Sequence, residues 1–171
     1  MTDRSALTRR TRKILRLSLI PLISALIVAL TVAAVLLVRD NRHDAATAAA
    51  RRDAPPAARE TIAAMLSYAA DTVDKDLAAV PGLTGPFQDD YHNLVNRTIV
   101  PVAKEKGVST KARVVSTGVL SASTDRATLL MYIDQVTIST AAPSPTTSSS
   151  RVTVTAEKHD GHWLVSGMTP L

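Results

Sequence analysis

The chain has 171 residues and no cysteine, which excludes disulfide frameworks, thiolate metal sites, cysteine nucleophiles and a lipoprotein anchor. Its formal net charge of +5 would suit a nucleic-acid ligand, but the excess lies in residues 1–16, which hold six basic residues and one acidic residue. The rest of the chain is balanced in charge. The basic segment therefore predicts a cytoplasmic tail beside lipid headgroups, and no nucleic-acid partner.

A run of 22 uncharged, mostly apolar residues follows at 17–38. As a helix it would reach about 33 Å, enough to cross the hydrocarbon core of a bilayer. The alternative is a cleaved signal peptide, whose apolar region normally spans only about 7–15 residues. The length favours an uncleaved transmembrane helix. The basic tail orients its N-terminus toward the cytoplasm, so the rest of the chain is expected outside the plasma membrane.

Small side chains recur along this run at spacings that place them on one stripe of a helix: Ser18, Ala25, Ala29 and Ala33. Small residues let transmembrane helices approach closely, so the stripe predicts a partner-binding face within the bilayer. The alternative is that an alanine-rich segment forms such a stripe by chance.

Residues 39–56 mix charged residues with alanine and predict a stalk. The pair Pro55-Pro56 at its end is expected to stop any helix that leaves the membrane, because proline lacks the N–H that a helix needs. Residues 57–171 are enough for one domain with one core. The predicted organisation is thus a tail, a membrane helix, a stalk and a single extracytoplasmic domain.

Helical spacing of apolar residues predicts a helix over 57–70 and a short helical segment over 71–79. A second amphipathic pattern begins after Pro86 and predicts another helix, which Pro101 should end or kink near Val100. The domain therefore begins with helices.

From about Lys111 the apolar pattern changes to a period of two, which indicates strands. Four are predicted, at 111–121, 126–138, 151–158 and 162–168. Asp160-Gly161 is typical of a tight hairpin turn, whereas residues 139–150, rich in serine, threonine and proline, predict a long mobile loop. Helices followed by an antiparallel meander define an α+β domain whose sheet packs one face on the helices.

The order of several short motifs carries a family resemblance. Ser67-Tyr68 is followed by residues 71–77 (DTVDKDL) and by residues 84–87 (TGPF), with Tyr91 four positions further on. The predicted strands add three more motifs: residues 115–119 (VSTGV), 133–135 (IDQ) and 160–165 (DGHWLV). Over about residues 57–171 the chain resembles the Mce-associated membrane proteins of actinobacteria.

This resemblance implies an NTF2-like or cystatin-like fold, in which a curved antiparallel sheet of about four strands wraps around a long helix. It implies a non-enzymatic accessory or stabilising subunit of an Mce-type lipid transport system, with Mce or permease subunits and membrane lipid as partners. Two alternatives stay open: a scaffold subunit of a secretion or conjugation apparatus, and an NTF2-like enzyme or lipid-binding receptor with a pocket inside the fold.

The polar residues offer few catalytic or metal-binding sets. His159 and His162 flank the predicted hairpin turn, but no third ligand is near in sequence, so no metal site is predicted. Asp134 with Tyr68 and Tyr132 is the acid–base set to consider for an enzyme of this fold. Both faces of the strand that carries Asp134 are largely apolar, so the sequence leaves open which face lines the interior.

The chain carries no glycine-rich phosphate loop and no serine nucleophile motif, so no ATPase or hydrolase activity and no cofactor are expected. Four aromatic residues lie on the predicted buried faces, where large rings dominate a small core. They are assigned to the structural core: Tyr68, Phe87, Tyr91 and Trp163.

Overall fold

The computed structural model describes the chain over residues 5–142 and 144–171, with side chains described at some positions from 30 to 39 and throughout from 41 apart from 143. Contacts divide the chain into two units, Met1–Asp44 and Ala45–Leu171. The helical elements are α1 (Ser5–Met65), α2 (Val73–Ala78), α3 (Gly85–Leu94), a π-helical segment (Val95–Ile99) and α4 (Val100–Lys106). The strands are β1 (Ser109–Ala122), β2 (Arg126–Ile138), β3 (Thr146–His159) and β4 (His162–Pro170).

The predicted transmembrane stretch, 17–38, belongs to α1, but most of its side chains lie outside the described residues. Within the part that is described, no helix combines the length and the apolar character that crossing a bilayer requires.

The predicted helix break at Pro55-Pro56 is wrong, because α1 passes through both prolines without interruption. The compact unit also begins at Ala45 and so includes much of the predicted stalk. The reason is tertiary packing, which offsets the lost backbone hydrogen bonds. Residues spaced by four on α1 are buried in the domain core on both sides of the prolines: Ala50, Ala54, Ala58 and Ile62.

The helix accommodates Pro101, at the start of α4, in a different way. The chain was expected to end or kink its helix near Val100, and instead it widens into the π-helical segment Val95–Ile99 and continues as α4. Pro101 lies in the first turn of α4, where a missing N–H is tolerated, and the π-turn before it keeps the chain on a helical path. Gly107 then ends α4 in the left-handed conformation, with φ 60°.

The four strands form one antiparallel sheet in the order β1-β2-β3-β4, so the predicted meander is confirmed. Asp160 and Gly161 form the last turn, with φ values of 50° and 86°. The predicted mobile loop at 139–150 is wrong at its C-terminal end, where residues 146–150 are strand. Thr146 and the four residues after it extend β3, and the Thr140 hydroxyl donates to the Lys106 carbonyl (2.8 Å) at the end of α4.

The core lies between the helices and one face of the sheet. Alternate residues of β2 and β3 supply that face, and those of β2 are fully buried: Ala127, Leu129, Met131 and Ile133. The even-numbered side chains of β2 lie on the opposite face, which we call the outer sheet face, together with their partners on β1 and β3.

Backbone pairs outside the sheet ladder cover part of both of its edges. Tyr68 and Thr110 exchange two backbone hydrogen bonds of 2.8 Å beside β1. On the other edge, Val165 of β4 donates to the Gly82 carbonyl (2.7 Å) and accepts from the Thr84 N–H (3.0 Å). These pairs satisfy polar groups that an edge strand would otherwise present to other chains.

Substitutions of two isoleucines of β2 compare the packed face with the outer sheet face in a single experiment. Ile133 is 1% exposed and Ile138 is 43% exposed. Ile133→Ala should lower the free energy of unfolding by about 2–5 kcal/mol because it leaves a cavity. The matched variant Ile138→Ala should change it by less than about 1 kcal/mol. Denaturation of the full chain in detergent, followed by the fluorescence of the single tryptophan, Trp163, measures both, and equal losses would contradict the assignment of faces.

Gly82 is required by a close contact as well as by its conformation. Its φ is 78°, and a Cβ atom there would overlap the Thr61 hydroxyl, whereas a Cβ at Gly161 (φ 86°) meets open space. Gly161→Ala should therefore cost only the left-handed strain of about 1–2 kcal/mol. Gly82→Ala should cost about 1–3 kcal/mol more because of overpacking. In the same denaturation assay, adding Thr61→Ala to Gly82→Ala should recover part of the difference, and no recovery would contradict the clash.

Candidate functional site

One set of predicted site residues belongs to the predicted transmembrane stretch. Ser18, Ala25, Ala29 and Ala33 lie outside the residues whose side chains are described. The partner-binding face that they were assigned to therefore stays a prediction.

The four aromatic residues assigned to the core all contact it. Tyr91 and Trp163 are buried, and Tyr68 and Phe87 are half-buried and pack against the buried cluster. The Tyr91 hydroxyl donates to the Met65 carbonyl at 3.3 Å, which links α3 to the end of α1. Burial raises the pKa of Tyr91 from 10.0 to about 12, because the phenolate loses its hydration there.

Trp163 supports the closing hairpin from the packed face. Its indole Nε1 is buried and meets no hydrogen-bond acceptor among the described residues. The Lys158 Nζ atom lies 5.9 Å from the ring centroid, within the range of a cation–π contact. The ring therefore contributes mainly apolar contact area to the core.

The acid–base set considered from the sequence is not assembled at one place. Asp134 and Tyr132 line an open groove of about 860 Å³ on the outer sheet face, whereas Tyr68 lines a second groove of about 460 Å³. The Asp134 carboxylate accepts a hydrogen bond from the Ser149 hydroxyl (2.6 Å) and lies 3.9 Å from the Arg113 guanidinium. Asp134 thus faces away from the packed core, which answers the question of faces that the alternation left open.

The space between α1 and the sheet is filled by side chains. On the sheet side, Leu129, Met131 and Ile133 are at most 1% exposed, and on the helix side Ile62 is fully buried. Protein interiors packed in this way leave little room for a ligand. The open groove that contains Asp134 lies on the outer sheet face instead.

Sequence reasoning missed the residues that make the outer sheet face distinctive. Tyr132, Val136 and Ile138 form an exposed apolar row along β2. Exposed cations flank this row, with Lys111 opposite Val136 and Arg151 opposite Tyr132. The signal was present in the sequence, since these apolar residues all have even numbers, but only the packing of the odd-numbered residues on α1 shows that the even ones face solvent.

The histidines at the closing hairpin do not belong to a set of metal ligands within the described residues. The His159 Nε2 atom lies 3.5 Å from the Glu157 carboxylate, and Glu157 also pairs with Arg126 at 3.0 Å. In the described part of the chain, no group of three histidine, aspartate or glutamate side chains converges as metal ligands would.

Sequence comparison shows where the chain belongs. Outer membrane protein Rv1973 of Mycobacterium tuberculosis (strain H37Rv) is 38% identical over 151 residues, which cover 88% of this chain and 94% of that protein. The chain belongs to the family of this mycobacterial protein. Uncharacterized protein Rv1362c of the same strain is 38% identical over 123 residues, covering 71% of this chain, and the match spans 56% of the length of that relative. No protein-family model matches the chain.

Solved structures show the same fold at low identity. A periplasmic fragment of TraM superposes with a TM-score of 0.57 at 10% identity and covers 70% of this chain and 95% of that one. An IcmL-like type IV secretion system protein of Legionella pneumophila gives 0.55 at 13% identity, covering 67% and 88%, and the periplasmic domain of DotI gives 0.53 at 14%, covering 68% and 91%. The α+β prediction is therefore confirmed, with helices on a four-stranded antiparallel sheet.

The raised pKa of Tyr91 predicts how stability depends on pH. The folded state keeps the phenol neutral up to about pH 12, whereas the unfolded chain ionises it near pH 10.0. The stabilisation is therefore fully present below pH 10 and is lost as pH rises toward 12, by about 2–3 kcal/mol in total. Tyr91→Phe should lose less stability over this range, as measured by denaturation with circular dichroism. Parallel curves for the two chains would contradict the assignment.

Proposed function

We propose that this chain is a membrane-anchored accessory subunit of a transport assembly in the cell envelope, and that it works by docking and not by catalysis. The observation that carries the proposal is which apolar side chains of the domain are buried and which are exposed. The interior is filled, and the exposed apolar row of Tyr132, Val136 and Ile138 lies on the outer sheet face. Exposed apolar and aromatic groups gathered on one surface are typical of interaction sites.

The specific form that we propose is an Mce-type lipid transport system. Its support is the resemblance of residues 57–171 to Mce-associated membrane proteins, together with the family relationship to mycobacterial proteins. In this proposal the domain stabilises Mce or permease subunits, and confinement beside the membrane raises the effective concentration of weak contacts.

The proposed location is the plasma membrane, with the N-terminus in the cytoplasm and the α+β domain outside. The basic tail at 1–16 and the uncharged run at 17–38 support it. The structures of TraM and DotI, which are of periplasmic parts, support a domain outside the membrane. The relative Rv1973 is named an outer membrane protein, which supports a location in the cell envelope but does not single out the plasma membrane.

A second candidate is a scaffold subunit of a secretion or conjugation apparatus. The likeness in fold to an IcmL-like type IV secretion system protein favours it. The two candidates share the same picture of an anchored docking domain and differ in the assembly that it joins.

Affinity purification of the tagged full chain after gentle detergent extraction, followed by mass spectrometry, separates the candidates. Mce or permease subunits should copurify under the first proposal, and secretion subunits under the second. The proposal of an envelope subunit is dropped if neither class is recovered.

A further inference from the structure

Charged side chains and apolar side chains lie in separate rows across the outer sheet face. The apolar residues Tyr132, Val136 and Ile138 run along β2 at the centre of these rows. Lys111 and Arg113 flank them on β1, and Arg151 flanks them on β3. Directly paired residues of neighbouring strands have side chains about 5 Å apart on the same face, so these groups form one continuous patch.

The patch has an excess of positive charge. Two carboxylates lie beside its three cations. Asp134 accepts from Ser149 and lies 3.9 Å from Arg113, whose side chain is 79% exposed, and Asp76 lines the groove of Lys111 and Val136. Lys111 and Arg151 are also exposed. At the other end of the same face, the Glu157 carboxylate lies 3.0 Å from Arg126, so charge there is matched. The cationic excess therefore coincides with the exposed apolar row.

Tyr132 is the most exposed ring among the five aromatic residues of the chain. It is 44% exposed, whereas the other four are buried or pack against the core. Tyrosine is favoured where one side of a residue meets hydrocarbon and the other meets water, as at a membrane surface.

We propose that the outer sheet face binds a membrane surface that contains anionic lipids. Arg113, Arg151 and Lys111 contact the anionic headgroups, and Tyr132, Val136 and Ile138 enter the headgroup region between them. Charge complementarity selects this occupant over a second copy of the chain placed face to face, because the two cationic patches would then repel each other. This inference rests on the proposed function, which puts the domain beside a bilayer.

The absence of cysteine makes a direct test straightforward, because a single introduced thiol is the sole labelling site. Ile138→Cys carries a fluorophore on the outer sheet face, and Gln88→Cys carries it on the exposed surface of α3 as the control. The purified full chain is reconstituted in vesicles of phosphatidylcholine, with or without phosphatidylglycerol. Quenching by acrylamide, a neutral and water-soluble molecule, then reports the exposure of each label.

Phosphatidylglycerol should protect the label at 138 from acrylamide and leave the label at 88 unchanged. The protection should weaken as salt is added, because salt screens exposed charges. Replacing Lys111, Arg113 and Arg151 by glutamine should weaken docking by roughly fivefold for each cation removed. A matched triple variant that removes exposed cations from the helices, Lys75→Gln, Arg97→Gln and Lys106→Gln, should keep the protection.

Three outcomes would overturn the inference. Equal exposure of residue 138 in both vesicle compositions removes the role of anionic lipid. Protection that rises with the density of protein in the vesicle, and not with phosphatidylglycerol, assigns the patch to a second copy of the chain. Protection seen in native membranes but not in vesicles assigns it to a partner protein. Because the vesicles contain no partner subunit, each of these results leaves the copurification test of the proposed function standing.

Discussion

One apolar contact holds the domain together, between the stripe of α1 that contains Ala54, Ala58 and Ile62 and the odd-numbered side chains of β2. Both sets are almost completely buried in a single cluster. Small residues on the helix face larger ones on the sheet, among them Leu129 and Met131, and this pairing of sizes fills the interior without large voids. The helix must therefore stay regular across Pro55 and Pro56, even though each proline removes a backbone hydrogen bond.

The same contact decides which surfaces are left for function. Since one face of the sheet is packed and backbone pairs at Tyr68 and Val165 cover part of its edges, the outer sheet face is its broad solvent-exposed surface. Asp134 and Tyr132 lie there, at an open groove, and a filled core lies behind them. A domain built in this way has a filled core and one broad exposed face, and the periplasmic parts of TraM and DotI share its fold.

The sequence predicted turns and helix ends well where they depend on the backbone conformation of one or two residues. Asp160-Gly161 forms the expected turn because both residues tolerate positive φ, and Gly107 ends α4 for the same reason. Predictions failed where distant contacts decide. Serine and threonine at 146–150 have no apolar alternation of their own, yet they pair with residues 133–137 of β2 and so become strand.

The sequence by itself determined the order of helices and strands, the antiparallel meander and the location of the excess charge, because these follow from periodicity, turn residues and composition along the chain. The tertiary structure decided which face of β2 is buried, and with it the position of the exposed patch. Both faces of that strand are apolar enough to pack, so the alternation is ambiguous. Only the burial of Ile133 and its odd-numbered neighbours, in a core that also contains residues of α1, leaves Tyr132, Val136 and Ile138 exposed.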